Sequence, residues 1–129
     1  MAGRPGPQSV FWALFSLTGR IRRKTYILGL AAVFSVWWVA LSQLMSAEGN
    51  AEAVDRWLII LGLIVITSGW CLFALAVKRL HDFGFSGFWV VFLLFLIFYD
   101  AFWLGIPLFA FAAFPGSKDT NRFGPPPVS

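Results

Sequence analysis

Two uncharged stretches decide what this chain can become. Thr25–Ala47 runs for 23 residues and Trp57–Val77 for 21 without an Asp, Glu, Lys or Arg, and about 20 apolar residues suffice for a helix to cross a bilayer. The composition agrees: of 129 residues, 59% are hydrophobic and 12% charged, where a soluble domain carries roughly 25% charged residues. Fifteen Phe and seven Trp present more apolar surface than so few polar side chains can cover in water. The expected fold class is all-α: a small polytopic helical membrane protein, with residues 1–129 forming a single membrane domain.

Residues 1–25 read as an N-terminal segment on the cytoplasmic side. Gly3-Arg4-Pro5-Gly6-Pro7 is a flexible lead. Val10–Leu17 has the length of a signal-peptide core, but the basic Gly19-Arg20-Ile21-Arg22-Arg23-Lys24 that follows has no small-residue cleavage pattern and opposes translocation. A helix of eight residues reaches only about 12 Å. The run is therefore expected to be an interfacial helix, with Phe11, Trp12 and Phe15 at the headgroup boundary. Span 1 is expected over 26–45 and span 2 over 57–77. Between them lies an acidic loop, Ser46–Arg56, that turns at Gly49-Asn50.

The third apolar block, 88–114, is 27 residues long, or about 40 Å as one helix against a hydrocarbon core of about 30 Å. It reads as a short helical hairpin with legs Phe88–Phe98 and Ala101–Phe114 and a turn at Tyr99-Asp100; one long tilted or kinked span is the alternative. Asp100 marks either an exit to water or a function, since a carboxylate inside a span costs about 2.5–3.5 kcal/mol on insertion scales. Under the hairpin, nine of the ten Lys/Arg share one side and only Arg56 lies opposite. Both termini are then cytoplasmic. The tail, 115–129, with Pro125-Pro126-Pro127, is expected to lie extended at the membrane surface.

Polar residues cluster at the ends of the spans. In Gly19–Tyr26, helical spacing would put Arg20, Arg23 and Tyr26 on one face and Arg22 and Lys24 on others. Such arginines serve as topology anchors or as a clamp for phosphate or carboxylate. In Lys78–Trp89, Asp82 stands i+3 from Arg79 and i+4 from Lys78 and can neutralise one of them. Gly84 and Gly87 permit a reversal and Ser86 an N-cap. His81 and Asp82, being neighbours, point apart and make no dyad. In Pro115–Pro125, Asn121 and Gly124 suit a defined turn.

One cysteine, Cys71, and one histidine, His81, exclude an intramolecular disulfide and a multi-ligand zinc cage. There is no nucleophile elbow, P-loop or dinucleotide-binding glycine pattern. No cofactor and no metal is expected. The formal charge of +4 sits at span ends rather than along a soluble face, so it points to anionic phospholipids and not to nucleic acid.

Taken together, the three motifs resemble domain-of-unknown-function family 805, the YhaH-like bacterial inner-membrane proteins. Gly19, Arg20, Arg23 and Tyr26 match the first motif, and Arg79, Leu80, His81, Asp82, Gly84, Ser86, Gly87 and Trp89 the second. Pro115, Gly116, Asn121, Phe123, Gly124, Pro125 and Pro127 match the third. Lys78, Phe88 and Asp119 depart from the pattern, the last at a position where the family has Gly. The resemblance implies a multi-pass protein of the bacterial plasma (inner) membrane without an assigned activity.

The function expected is non-enzymatic. A cytoplasmic-face cluster of Arg20, Arg23, Arg79, His81, Asp82 and Asn121 would bind an anionic lipid headgroup or a partner protein. In it the three arginines would surround the anion, with Asp82 and Asn121 orienting them and His81 tuning the site, and Gly19, Gly84, Ser86, Gly87 and Gly124 would form the turns. Homo-oligomers or a membrane-protein partner are the expected company. The alternatives are an oligomeric component of small-solute or ion transport, and a membrane enzyme acting on a phosphorylated lipid.

Overall fold

A computed structural model of the protein describes residues 9–92, 95 and 101–127. Among the described residues, the helices whose full extent is described are α1, Val10–Phe15; α2, Arg23–Ser46; α3, Ala51–Asp82; and α4, Ala101–Ala113. Among the described residues there is no strand, only an isolated bridge between Asn121 and Gly124. Residues 89–92 are also helical.

The short first helix starts at Ser9, whose hydroxyl accepts from the Trp12 N–H at 3.1 Å, the usual N-cap arrangement. Between α2 and α3 the connection is tighter than the polar composition of Ser46–Arg56 suggests. Only 47–50 lie outside the helices. Gly49, at φ +89°, makes the turn. Asn50 then caps α3 by accepting from the Ala53 N–H at 3.1 Å, so Glu52, Asp55 and Arg56 join its first two turns instead of a loop. A local cap outweighs polarity here, because Glu and Arg are good helix formers.

Helices α2 and α3 run antiparallel. Gly29 lies against Leu75, where an added Cβ would sit 2.8 Å from Leu75 Cδ1, and further on the Trp37 indole donates to Ser68 Oγ at 2.9 Å. Their lengths, 24 and 32 residues, are about 36 and 48 Å. Both are long and apolar enough to cross a membrane, and only 17% and 22% of their apolar stretches are buried within the chain. Trp38 (78% exposed), Ile66 (74%) and Leu28 (71%) face outward, which is compatible with a membrane location.

Burial is concentrated at the end where α2 begins and α3 finishes. Ile21, Tyr26, Leu30 and Leu75 pack together with Trp12, Leu14 and Phe111 around them. Beside them, Ala76, Val77, Leu80 and Val90 form a second cluster that also touches Phe111. Two parts of the third apolar block, the start near Gly87–Val90 and the finish near Phe111–Phe114, therefore both contact the last turns of α3. The expected turn at Tyr99-Asp100 lies outside the described residues.

Candidate functional site

Asp82 is the centre of the buried end. It is the last residue of α3, and the helix stops there through a Schellman motif. The Phe85 N–H reaches the Leu80 carbonyl at 2.9 Å, the Gly84 N–H reaches that of His81 at 3.0 Å, and Gly84 takes φ +83°, a conformation that glycine adopts without a Cβ penalty. Ser86 then accepts from the Phe88 N–H at 3.3 Å, and Gly87 lets the chain run so close to α3 that a Cβ would lie 2.9 Å from Val77 Cγ1. The expected reversal is present.

Two guanidinium groups hold the Asp82 carboxylate. Arg79, one helical turn earlier, pairs with Oδ2, as the i+3 spacing leads one to expect. Arg20 takes Oδ1 from Nε at 3.0 Å and Nη2 at 2.8 Å. That second pairing, across 62 positions of sequence, has no local signal. Lys78 does not pair with Asp82. Its Nζ donates instead to the Trp12 and Ala13 carbonyls, each at 2.6 Å, with the charge 4.5 Å from the Trp12 ring. A cation there satisfies the exposed carbonyls at the end of α1.

The rest of the hub consists of backbone acceptors. Arg79 Nε donates to the Phe111 carbonyl at 2.9 Å and Nη2 to that of Phe114 at 2.5 Å, and Arg23 reaches Ala113 at 3.3 Å. The cationic ends of α2 and α3 thus cap the C-terminus of α4. Tyr26 adds its hydroxyl to the Leu108 carbonyl at 3.1 Å. Arg20 binds the tail: Nη1 donates to Asp119 and Gly124 carbonyls at 2.9 and 3.1 Å, and Nη2 to Ser117 O at 2.6 Å and Oγ at 3.0 Å. All the nitrogens of its guanidinium are occupied by the protein itself.

The tail is shaped to reach these donors. Ser117 N–H and Oγ both donate to the Asp82 carbonyl, at 2.9 and 2.8 Å. Asn121 accepts from Phe123 N–H at 2.9 Å and donates to the His81 carbonyl at 2.9 Å, making the defined turn its sequence suggests. A Cβ at Gly116 would overlap the Asp82 carboxylate, so no other residue fits where the tail crosses α3. Asp119 contributes its backbone carbonyl. His81 faces away from Asp82: Nδ1 lies 3.2 Å from the Gly19 carbonyl, and the ring stacks on Phe123 with centroids 3.9 Å apart. A carbonyl only accepts, so this contact puts the proton on Nδ1. Gly19 at φ +87° and Gly124 at φ +122° complete the turns.

The side chains of Arg20, Arg79, Lys78 and Asp82 are buried, and no buried polar side-chain atom among the described residues lacks a partner. That arrangement is one of structure, with charges matched to carboxylate and carbonyls. It differs from the helical reading of Gly19–Tyr26. Helix α2 begins at Arg23 and Arg22 is extended at φ −71°, ψ 158°, so Arg20 leaves the face it was expected to share with Arg23. Arg22, expected on another face, lines a cleft of 420 Å³ together with Arg23, Arg79, Lys118, Pro126 and Pro127. Asp82 and Gly116 lie in its wall as well.

Three of the cleft's cations, Arg22, Arg23 and Lys118, are exposed and pair with no carboxylate among the described residues. Lys118 and Ser117 were not singled out by sequence; their signal was membership of the third motif, whose role only the folded tail reveals. No group of three or more His, Cys, Asp or Glu among the described residues could hold a metal ion.

No curated protein and no solved structure matches the chain. The family described as "Protein of unknown function (DUF805)" matches residues 14–125, a range that takes in the first two motifs, the third up to Pro125, and Arg20, Arg23, Arg79, His81, Asp82 and Asn121, and the chain belongs to that family.

Proposed function

We propose that the protein is a non-enzymatic, multi-pass component of the bacterial inner membrane that recognises anionic lipid headgroups on its cytoplasmic face. The observation that carries this reading is the cleft, where Arg22, Arg23 and Lys118 surround a space above the buried Arg79. Like charges facing a common space call for an acidic occupant, and a phosphate suits the planar donor fork of arginine. The role expected of Arg20 is different now. Its donors are engaged, so it acts by fixing the tail that forms the far wall of the cleft.

Orientation follows from charge. With the basic hub, the tail and the N-terminal segment on one side, nine of ten Lys/Arg lie there, which the positive-inside tendency assigns to the cytoplasm. The contacts of both Gly87–Val90 and Phe111–Phe114 with the same turns of α3 support a third block that leaves and returns to that side. His81 holds Gly19 and stacks on Phe123, which supports its reading as a residue that tunes the site.

The test is retention of lipid through purification from the native membrane. The triple variant Arg22→Ala, Arg23→Ala, Lys118→Ala should lose most of the anionic lipid that copurifies with the wild type, whereas Arg56→Ala, at the opposite end, should keep it. Equal retention in the two variants would reduce the cations to topology anchors.

A further inference from the structure

Resting on the anionic-cleft reading, we infer that the cleft takes a phosphomonoester rather than the phosphodiester of an ordinary glycerophospholipid. The charge of Asp82 is already matched, its two oxygens held by Arg20 and Arg79. That leaves Arg22, Arg23 and Lys118 around the space with no carboxylate partner among the described residues. A phosphodiester carries one negative charge and two free oxygens. A phosphomonoester carries about −1.5 to −2 at neutral pH and presents three. The cation set matches the second.

Backbone geometry adds to this. Helix α2 opens into the cleft at Arg22 and Arg23, and its N-cap makes no side-chain hydrogen bond. The first helical bond is from Tyr26 N–H to the Arg22 carbonyl at 3.0 Å, which leaves the preceding amides of the first turn without intrahelical partners. Those amides and the positive end of the helix dipole favour the more highly charged group. Of the remaining wall, Pro115, Gly116, Ser117, Pro126 and Pro127 carry no charged side chain, and the carboxylate of Asp82 is already held by Arg20 and Arg79. Leu28 and Phe114, 71% and 63% exposed beside this end of the bundle, are placed to meet an acyl chain.

The phosphate could reach the cleft on a lipid or free in solution, and the experiment separates the two. Full-length protein in phosphatidylcholine nanodiscs receives either phosphatidic acid or enough phosphatidylglycerol to match its charge, and lipid bound to the protein is measured by native mass spectrometry. At pH 7.5 phosphatidic acid should be enriched about tenfold over phosphatidylglycerol. At pH 5.5, below the second phosphate pKa of about 6, the preference should fall to about threefold or less.

Arg22→Ala combined with Lys118→Ala, both exposed positions, should abolish the preference, and Arg56→Ala should preserve it. Displacement of phosphatidic acid by millimolar inorganic phosphate would assign the monoester to a soluble compound, and resistance to it would assign the monoester to a lipid. Equal enrichment of the two acidic lipids at both pH values would overturn the phosphomonoester while leaving the anionic cleft intact. No enrichment of either over phosphatidylcholine would overturn both.

Discussion

Replacing Asp82 with asparagine should release the tail from the helices. The side chain is almost the same size, so packing is preserved and the change is one of charge and hydrogen bonding. Oδ1 can still accept from Arg20 Nε and Nη2, which lie 3.0 and 2.8 Å away. The other branch becomes an amide that points its N–H groups at Arg79 Nη1, itself a donor. Two guanidinium groups whose side chains are 1% exposed are left without a counter-charge. Breaking a buried pair from one side costs about 3–5 kcal/mol.

That is a large share of the roughly 5–15 kcal/mol of a typical domain. Much of it is recoverable by giving up the tail, because Arg20 then reaches water. Trypsin cleavage after Lys118 and Arg122 in detergent-solubilised protein should therefore accelerate by at least about tenfold, since 1.4 kcal/mol already corresponds to that factor and opening is coupled to cleavage. The unfolding midpoint should fall by on the order of 10 °C. In an Arg20→Gln background the same substitution should cost about 1 kcal/mol less or better, since one of the two stranded charges is gone. Wild-type rates of tail cleavage and an unchanged midpoint in Asp82→Asn would refute the view that this carboxylate ties tail to bundle.

Three further outcomes are expected. Gly116→Ala should mimic the loss of Asp82, because the new methyl overlaps its carboxylate; tail proteolysis should rise, and a protected tail in this variant would count against the close crossing. Lys78→Met should keep the aliphatic packing but remove the charged donor from the Ala13 carbonyl and leave the Trp12 carbonyl with the Ser16 N–H alone, at a cost of about 1.5–3 kcal/mol for a charged hydrogen bond, so hydrogen exchange over Val10–Leu17 should quicken while that of α3 stays slow. A reporter active only outside the cytoplasm should work when fused after Asn50 and fail after Ser129; activity at the tail fusion would contradict the even number of crossings.

The sequence alone determined the class of molecule. Two uncharged runs of 23 and 21 residues correspond to the two long helices, whose length and apolar composition are enough for a membrane crossing. Local chemistry was legible too. The i+3 spacing announced Arg79 with Asp82, and Gly84, Ser86, Gly87 and Asn121 announced turns, because such interactions span only a few residues and leave their pattern in adjacent positions. Three ordered motifs were enough to indicate the family.

What the tertiary structure decided is which partners those residues chose. Nothing near Arg20 in sequence hints at Asp82 or at the carbonyls of Ser117, Asp119 and Gly124. Lys78, at i+4 from Asp82, had an obvious local partner and took the end of α1 instead. Helical periodicity also failed at Arg20–Arg22, since the segment is extended there, held by a buried ion pair and the Gly19 turn. The physical reason is common to all three cases. A backbone carbonyl, in the tail as for Arg20 or at a helix end as for Lys78, is an acceptor that every sequence supplies, so its position, and the cation it attracts, become defined only when the chain has packed.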